Sequence, residues 1–174
     1  MFAELMASSI KGDLPALMSD DPDAKLSAET KTVLRKGIAQ LKRLSKKGDT
    51  DRRRVALVSL GFFQSILDEK SAGRRSLKRA IALDRSKPLA WEMLTGIYIL
   101  EEPPRFKDLL ALSRQRSKYN DSPRNRFIAA KAAEKLKKPV EAMAELQAAL
   151  KLDPQYANSQ LAMCVLLLRE GSAD

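Results

Sequence analysis

The chain has no histidine and only one cysteine. The first absence removes the commonest general base and the commonest metal ligand. The second excludes an internal disulfide and, with no histidine to help, a zinc site of the usual kind. Glycines are few and scattered: Gly61, Gly73 and Gly96 stand alone, so no glycine-rich phosphate loop is present. No apolar run approaches the ~18 residues that a membrane-spanning helix needs. The start, Met1-Phe2-Ala3-Glu4, lacks the basic opening of a secretory signal, and a cytoplasmic protein is expected. Asp20, Asp21 and Asp23 surround Pro22 without a bidentate glutamate at calcium-loop spacing, and they read as a solvated turn. Glu101 and Glu102 precede Pro103 and Pro104 and read as a helix end. No catalytic, cofactor or metal site is assigned, and the chain is expected not to be an enzyme.

What is abundant is alanine, leucine, lysine, arginine and glutamate, the residues that favour helix. At 174 residues a sizeable core can form, and no alternating stretch predicts a strand. Ser27 can cap a helix running to about Lys46. Helix pairs then read 51–67 with 72–83, 87–100 with 104–117, and 122–136 with 140–151, followed by a last helix over 156–169. Pro104 and Pro139 sit near second-helix starts, where a missing N–H costs nothing.

Two short stretches nearly repeat each other 69 residues apart: Ala80-Ile81-Ala82-Leu83-Asp84 and Ala149-Leu150-Lys151-Leu152-Asp153. Twice a period near 34 gives this spacing, and that period marks helix–turn–helix repeats. With Arg54, Pro88, Pro123 and Ala157 as first positions, position eight is Gly61, Thr95, Ala130 and Cys164. Trp91, Leu94 and Tyr98 on a first helix, and Ala142, Leu146, Ala149 and Pro154 on a second, resemble the tetratricopeptide repeat (TPR) pattern over residues 51–174. Arg126, Gln160 and Gln64 depart from the large apolar residues usual there. The fold implied is all-α, with antiparallel helix pairs stacked as a TPR-like superhelix, an α-solenoid. The organisation expected is an extension with short helices over 1–26, a basic amphipathic helix over 27–53, and repeats at 54–87, 88–122, 123–156 and 157–174. Phe2, Leu5, Met6 and Ile10 form an apolar stripe expected to dock on the repeats.

The resemblance implies a protein-interaction scaffold with a groove lined by first helices, at positions two, five, nine, twelve and thirteen. The groove residues expected are Val58, Phe62, Ile66, Leu89, Glu92, Ile99, Leu100, Phe127, Lys131 and Lys135. TPR proteins that clamp a chaperone's terminal carboxylate use lysine and asparagine at positions five and nine. Val58 and Phe62, then Glu92 and Gly96, stand there instead, so that function does not carry over. The partner expected is a helix or extended peptide with acidic flanks.

Charge is uneven. The net is +10, of which residues 27–54 carry +7 while residues 1–26 carry −3. Arg35, Lys42, Arg43, Lys46, Lys47, Arg52, Arg53 and Arg54 form the expected basic patch, with Arg74, Arg75, Lys78 and Arg79 as a further cluster. Nucleic acid, RNA above all, is the second reading for this patch. No aromatic residue interrupts 27–54, however, so no base-stacking platform is indicated. The last helix is apolar nearly all round from Leu161 to Leu168, and Cys164 within it is expected to be a buried thiol. Residues 161–168 are expected to meet a second copy of the chain, as a homo-oligomer, or further repeats.

Overall fold

The computed structural model describes residues 26–171; the expected apolar stripe within 1–25 lies outside the described residues. Among the described residues there are eight helices and no strand: α1 (Ala28–Leu44), α2 (Thr50–Ile66), α3 (Lys70–Leu83), α4 (Pro88–Leu100), α5 (Phe106–Ser117), α6 (Pro123–Lys135), α7 (Pro139–Leu152) and α8 (Ala157–Gly171). They divide into two compact units at the Asp84–Arg85 bond. Local chemistry sets the starts. Ser27 Oγ accepts from the Thr30 N–H at 3.1 Å and Asp49 from the Arg52 N–H at 2.8 Å, capping α1 and α2. Pro88, Pro123 and Pro139 each occupy a first turn. The two near-identical stretches also end alike. Asp84 and Asp153 both leave the helix in extended conformation, their N–H groups donating to Ala80 and Ala149.

The first unit contains α1, α2 and α3. Leu34 and Ile38 bury the apolar face of α1, while Ala56, Leu57 and Leu60 of α2 and Leu77, Ala80 and Ile81 of α3 fill the core. Each buried leucine contributes about 1.5–3 kcal/mol relative to exposure. Helices α2 and α3 cross at two glycines. A Cβ on Gly61 would lie 2.6 Å from Leu77 Cγ, and one on Gly73 would lie 2.9 Å from the Gly61 carbonyl oxygen. Gln64, which departs from the apolar pattern, is buried, and its side-chain amide meets Ser76 Oγ at 2.7 Å, best oriented with nitrogen toward that hydroxyl and toward the Ala72 carbonyl. A polar group at this depth is tolerated because it is satisfied.

The second unit runs from α4 to α8. Trp91, Leu94 and Tyr98 are the buried face of α4, and the Trp91 indole N–H donates to the Arg85 carbonyl at 3.0 Å. Leu109, Leu110 and Leu112 come from α5. Between α6 and α7 the packing is mostly alanine: Ala129, Ala130, Ala132 and Ala133 against Ala142, Leu146 and Ala149, all essentially solvent-free. Arg126, a second of the three departures from the apolar pattern, joins an ionic network. Glu145, buried on α7, accepts from Arg126 at 3.1 Å and from Arg114 at 2.7 Å, while Asp121 holds the far side of Arg126 at 2.7 Å.

Helix α8 departs from expectation. Among its described side chains only Ser159 and Leu166 are buried, and Cys164 is exposed rather than a buried thiol. At position eight Gly61 and Ala130 are buried and Thr95 is half-buried, whereas Cys164 faces outward.

The α2–α3 crossing yields a prediction. Helix propensity alone would make Gly73→Ala stabilising by about 1 kcal/mol. The Gly61 carbonyl that the new methyl would strike is backbone and cannot swing away, so the overpacking cost of about 1–3 kcal/mol decides the sign. Urea titration should show a lowered midpoint for Gly73→Ala; a raised midpoint would mean the helices are not this close.

Candidate protein-interaction surfaces

The register sorts buried from exposed positions. Among the positions expected to line a groove, Val58 alone is buried, at 6% exposure; it packs into the α2 core and is corrected from a contact residue to a core residue. The others are open or half-open. In the first unit Phe62 is 47% exposed on α2, stacked obliquely on Phe63 with ring centroids 6.0 Å apart, and Ile66 is half-buried. In the second unit Leu89, Ile99 and Leu100 project from α4, Leu100 at 75% exposure, and Gly96 leaves open space beside them, since a Cβ there would meet nothing within 4 Å.

Charge grades along the first helices of the second unit. Glu92 on α4 is exposed but tied to Arg116 at 3.2 Å. On α6, Phe127 is half-buried and packs edge-on against Tyr156 at 6.1 Å. Lys131 pairs with Glu134, which also receives Arg169 of α8 at 2.6 Å, while Lys135 is exposed. Lys131 and then Arg169 hold the Glu134 carboxyl below its ordinary value, against the opposing effect of burial. The α4 face is thus apolar and the α6 face mainly cationic. Helix α8 adds exposed Leu161, Leu167 and Leu168. Among the described residues, nine of the thirteen large exposed apolar side chains lie on α2, α4 and α8, all first helices of the expected register.

The expected basic patch does not form one face. Arg52 is paired with Asp49 and Arg54 with Asp51, and Arg53 is half-buried. Lys47 and Arg52 border a cavity of about 550 Å³ between α1 and α2, floored by Leu41, Leu44 and Val55. Lys42 and Lys46 line a different groove, of about 400 Å³, with Arg75 and Arg79 of α3. Arg35 and Arg43 are exposed on α1. Sequence reading kept Arg75 and Arg79 apart from Lys42 and Lys46, because only packing on α2 brings the two helices together. No aromatic side chain lines either cavity. Among the described residues no cluster of histidine, cysteine, aspartate or glutamate could hold a metal ion, and no helix is long and apolar enough to cross a membrane.

Comparison with known proteins supports the fold. MamA of AMB-1, in P212121 crystals, superposes with a TM-score of 0.58 at 16% identity, covering 97% of this chain and 84% of MamA. MamA of MSR-1 gives 0.54 at 21% identity over 82% of this chain and 87% of its own. A MamA point mutant gives 0.55 at 17% identity over 97% and 89%. No protein-family model and no curated protein sequence matches. The chain has the TPR-like helical-repeat fold of these structures.

The Glu134 cluster yields a prediction. A carboxyl lowered in the folded state contributes stability above its unfolded value and loses it as pH falls through the folded value. Glu134→Gln should therefore lower stability at neutral pH, by under about 1 kcal/mol for so open a cluster, and match the wild type in strong acid. Urea midpoints at both pH values check this; an equal difference at both would mean the carboxylate charge plays no part.

Proposed function

We propose that this chain is a non-catalytic protein-interaction scaffold whose first helices hold a helical or extended partner segment carrying apolar residues with acidic flanks. One observation carries the reading: an apolar face on α4, formed by Leu89, Ile99 and Leu100, belongs to the same compact unit as a cationic α6 face bearing Lys131 and Lys135. Leucines left in water at 53% and 75% exposure favour burial by a partner, and neighbouring cations select acidic flanks while fixing orientation. Phe62, Ile66 and Phe127 occupy the corresponding places on α2 and α6. The division into repeats at 54–87, 88–122, 123–156 and 157–174, with the basic helix ahead of them, belongs to the same proposal.

The test is capture from a lysate of the native host. Immobilised wild type should retain at least one protein that survives nuclease treatment, and Leu89→Asp with Leu100→Asp should lose it. Both side chains are exposed, so the variant should keep its thermal midpoint within about 4 °C. Retention by the variant equal to wild type would contradict the reading.

The face of α8 is read as a contact with a second copy of the chain. Leu161, Leu167 and Leu168 are open while residues 119–174 carry only +1, too little charge to oppose self-association. Sedimentation should show a concentration-dependent dimer that Leu167→Asp with Leu168→Asp dissociates. A wild type that stays monomeric at all concentrations would leave that face to another partner or to additional repeats.

A further inference from the structure

We infer that the groove between the end of α1 and the outer side of α3 binds an acidic segment of a partner protein, independently of the first-helix faces. Lys42 and Lys46 enter it from the end of α1, and Arg75 and Arg79 enter it from α3. All four are exposed, and none makes an ion pair or a side-chain hydrogen bond among the described residues. Several arginines elsewhere in the molecule are paired. Arg114, Arg116, Arg126 and Arg169 of the second unit each meet a carboxylate, at 2.6–3.2 Å. Arg54 of the first unit does so too, at 2.6 Å.

Arg75 and Arg79 stand four residues apart on α3, which puts two like charges on one side of the helix and destabilises it, while Lys42 lies in the last turn of α1 and Lys46 just beyond its C-cap Ser45. Among the described residues Glu69 is the one carboxylate lining the groove, against four cations. The floor is closed. Leu60 and Ser45 are buried, Ser45 Oγ donates to the Lys42 carbonyl at 3.0 Å, and Gln64 and Ser76 satisfy one another. A ligand would therefore be recognised by the cations on the walls rather than by the floor.

The chemistry of those walls selects the ligand. Helix α1 contributes its C-terminal end, where backbone carbonyls are exposed, while Glu69 and Ala72 set the first turn of α3 at one edge of the groove with the Glu69 carboxylate at that same edge, so the cations on the walls supply most of the attraction for an anion. Four separate cations on two helices suit several carboxylates spaced along one chain. No aromatic residue lines the groove to stack a base, so nucleic acid is the poorer fit. A peptide rich in glutamate and aspartate would lie between the two helices, its carboxylates against the cations of the walls.

The test is fluorescence anisotropy with a labelled peptide of repeating Glu-Glu-Leu, in parallel with a labelled oligouridylate of equal charge. The full chain should bind the peptide at low salt, more tightly than the oligouridylate, and lose it as salt rises. Lys46→Glu with Arg79→Glu reverses one exposed charge on each wall, and on α3 turns a like-charge pair into an attractive one, so the fold should be kept while peptide affinity falls about tenfold or more. Lys118→Glu with Lys151→Glu makes the same change in net charge elsewhere and should leave affinity within about twofold. If the reversed variant loses its helical circular dichroism, Lys46→Gln with Arg79→Gln takes its place and should show an intermediate loss. Three results would overturn the proposal: no peptide binding by wild type, equal weakening by the control variant, or oligouridylate binding at least as tightly and lost with the same residues.

Discussion

In two of the helix pairs, α2 with α3 and α6 with α7, the helices lie close together because small residues stand where they cross. At Gly61 and Gly73 there is no room for even one methyl group on either helix, and between α6 and α7 alanines do the same work. Close approach has a directional consequence. Once the small positions are committed to the crossing, the bulky residues beside them, such as Leu57, Leu60, Trp91, Leu94 and Tyr98, fill the space around it. What remains on each first helix must then face outward, whatever its polarity. That is why Phe62, Leu89, Ile99 and Leu100 are in water although their chemistry favours burial. Polar side chains that fall on the inside are tolerated where they are fully paired, as Gln64 is with Ser76 and Glu145 with Arg114 and Arg126.

The two units handle charge differently, and the functional reading depends on this. In the second unit arginines and carboxylates are matched into pairs and networks that link α5, α6 and α7, so most of their charge serves the structure. In the first unit Asp49 and Asp51 form local pairs with arginines of α2, while Lys42 and Lys46 at the end of α1 and Arg75 and Arg79 on α3 have no carboxylate partner among the described residues. Apolar first-helix faces in one unit and a cationic groove in the other are different kinds of surface, suited to different parts of a partner or to two partners.

Much of the fold was legible because its signals are local. Capping serine and aspartate, prolines in first turns and the repeated Ala-Leu-Asp endings fix where helices start and stop, and the helices fall within a few residues of the expected spans. The period of about 34 then separated buried from exposed positions on α2, α4 and α6. The misreadings are non-local. Val58 was assigned outward from a register that holds for the repeat on average, but on α2 it falls on the packed side. Cys164 was assigned inward from the apolar residues around it, yet burial needs a covering partner, which apolar neighbours in sequence cannot supply. The basic patch looked continuous in sequence, whereas packing divided it between two sides of α1 and brought in Arg75 and Arg79 from more than thirty residues away.

The central claim is that first helices of the second unit carry the partner surface. It is tested most directly by thiol-modification rates in a Cys164→Ser background, with single cysteines introduced at Leu89, Leu100 and Lys135 on first helices and at Ala111 and Gln147 on second helices. All five positions are exposed and should react freely in the unliganded chain. With the captured partner bound, the first three should be protected and the last two should react as before. Protection confined to Ala111 and Gln147, or protection at none of the five under saturating partner, would contradict the account.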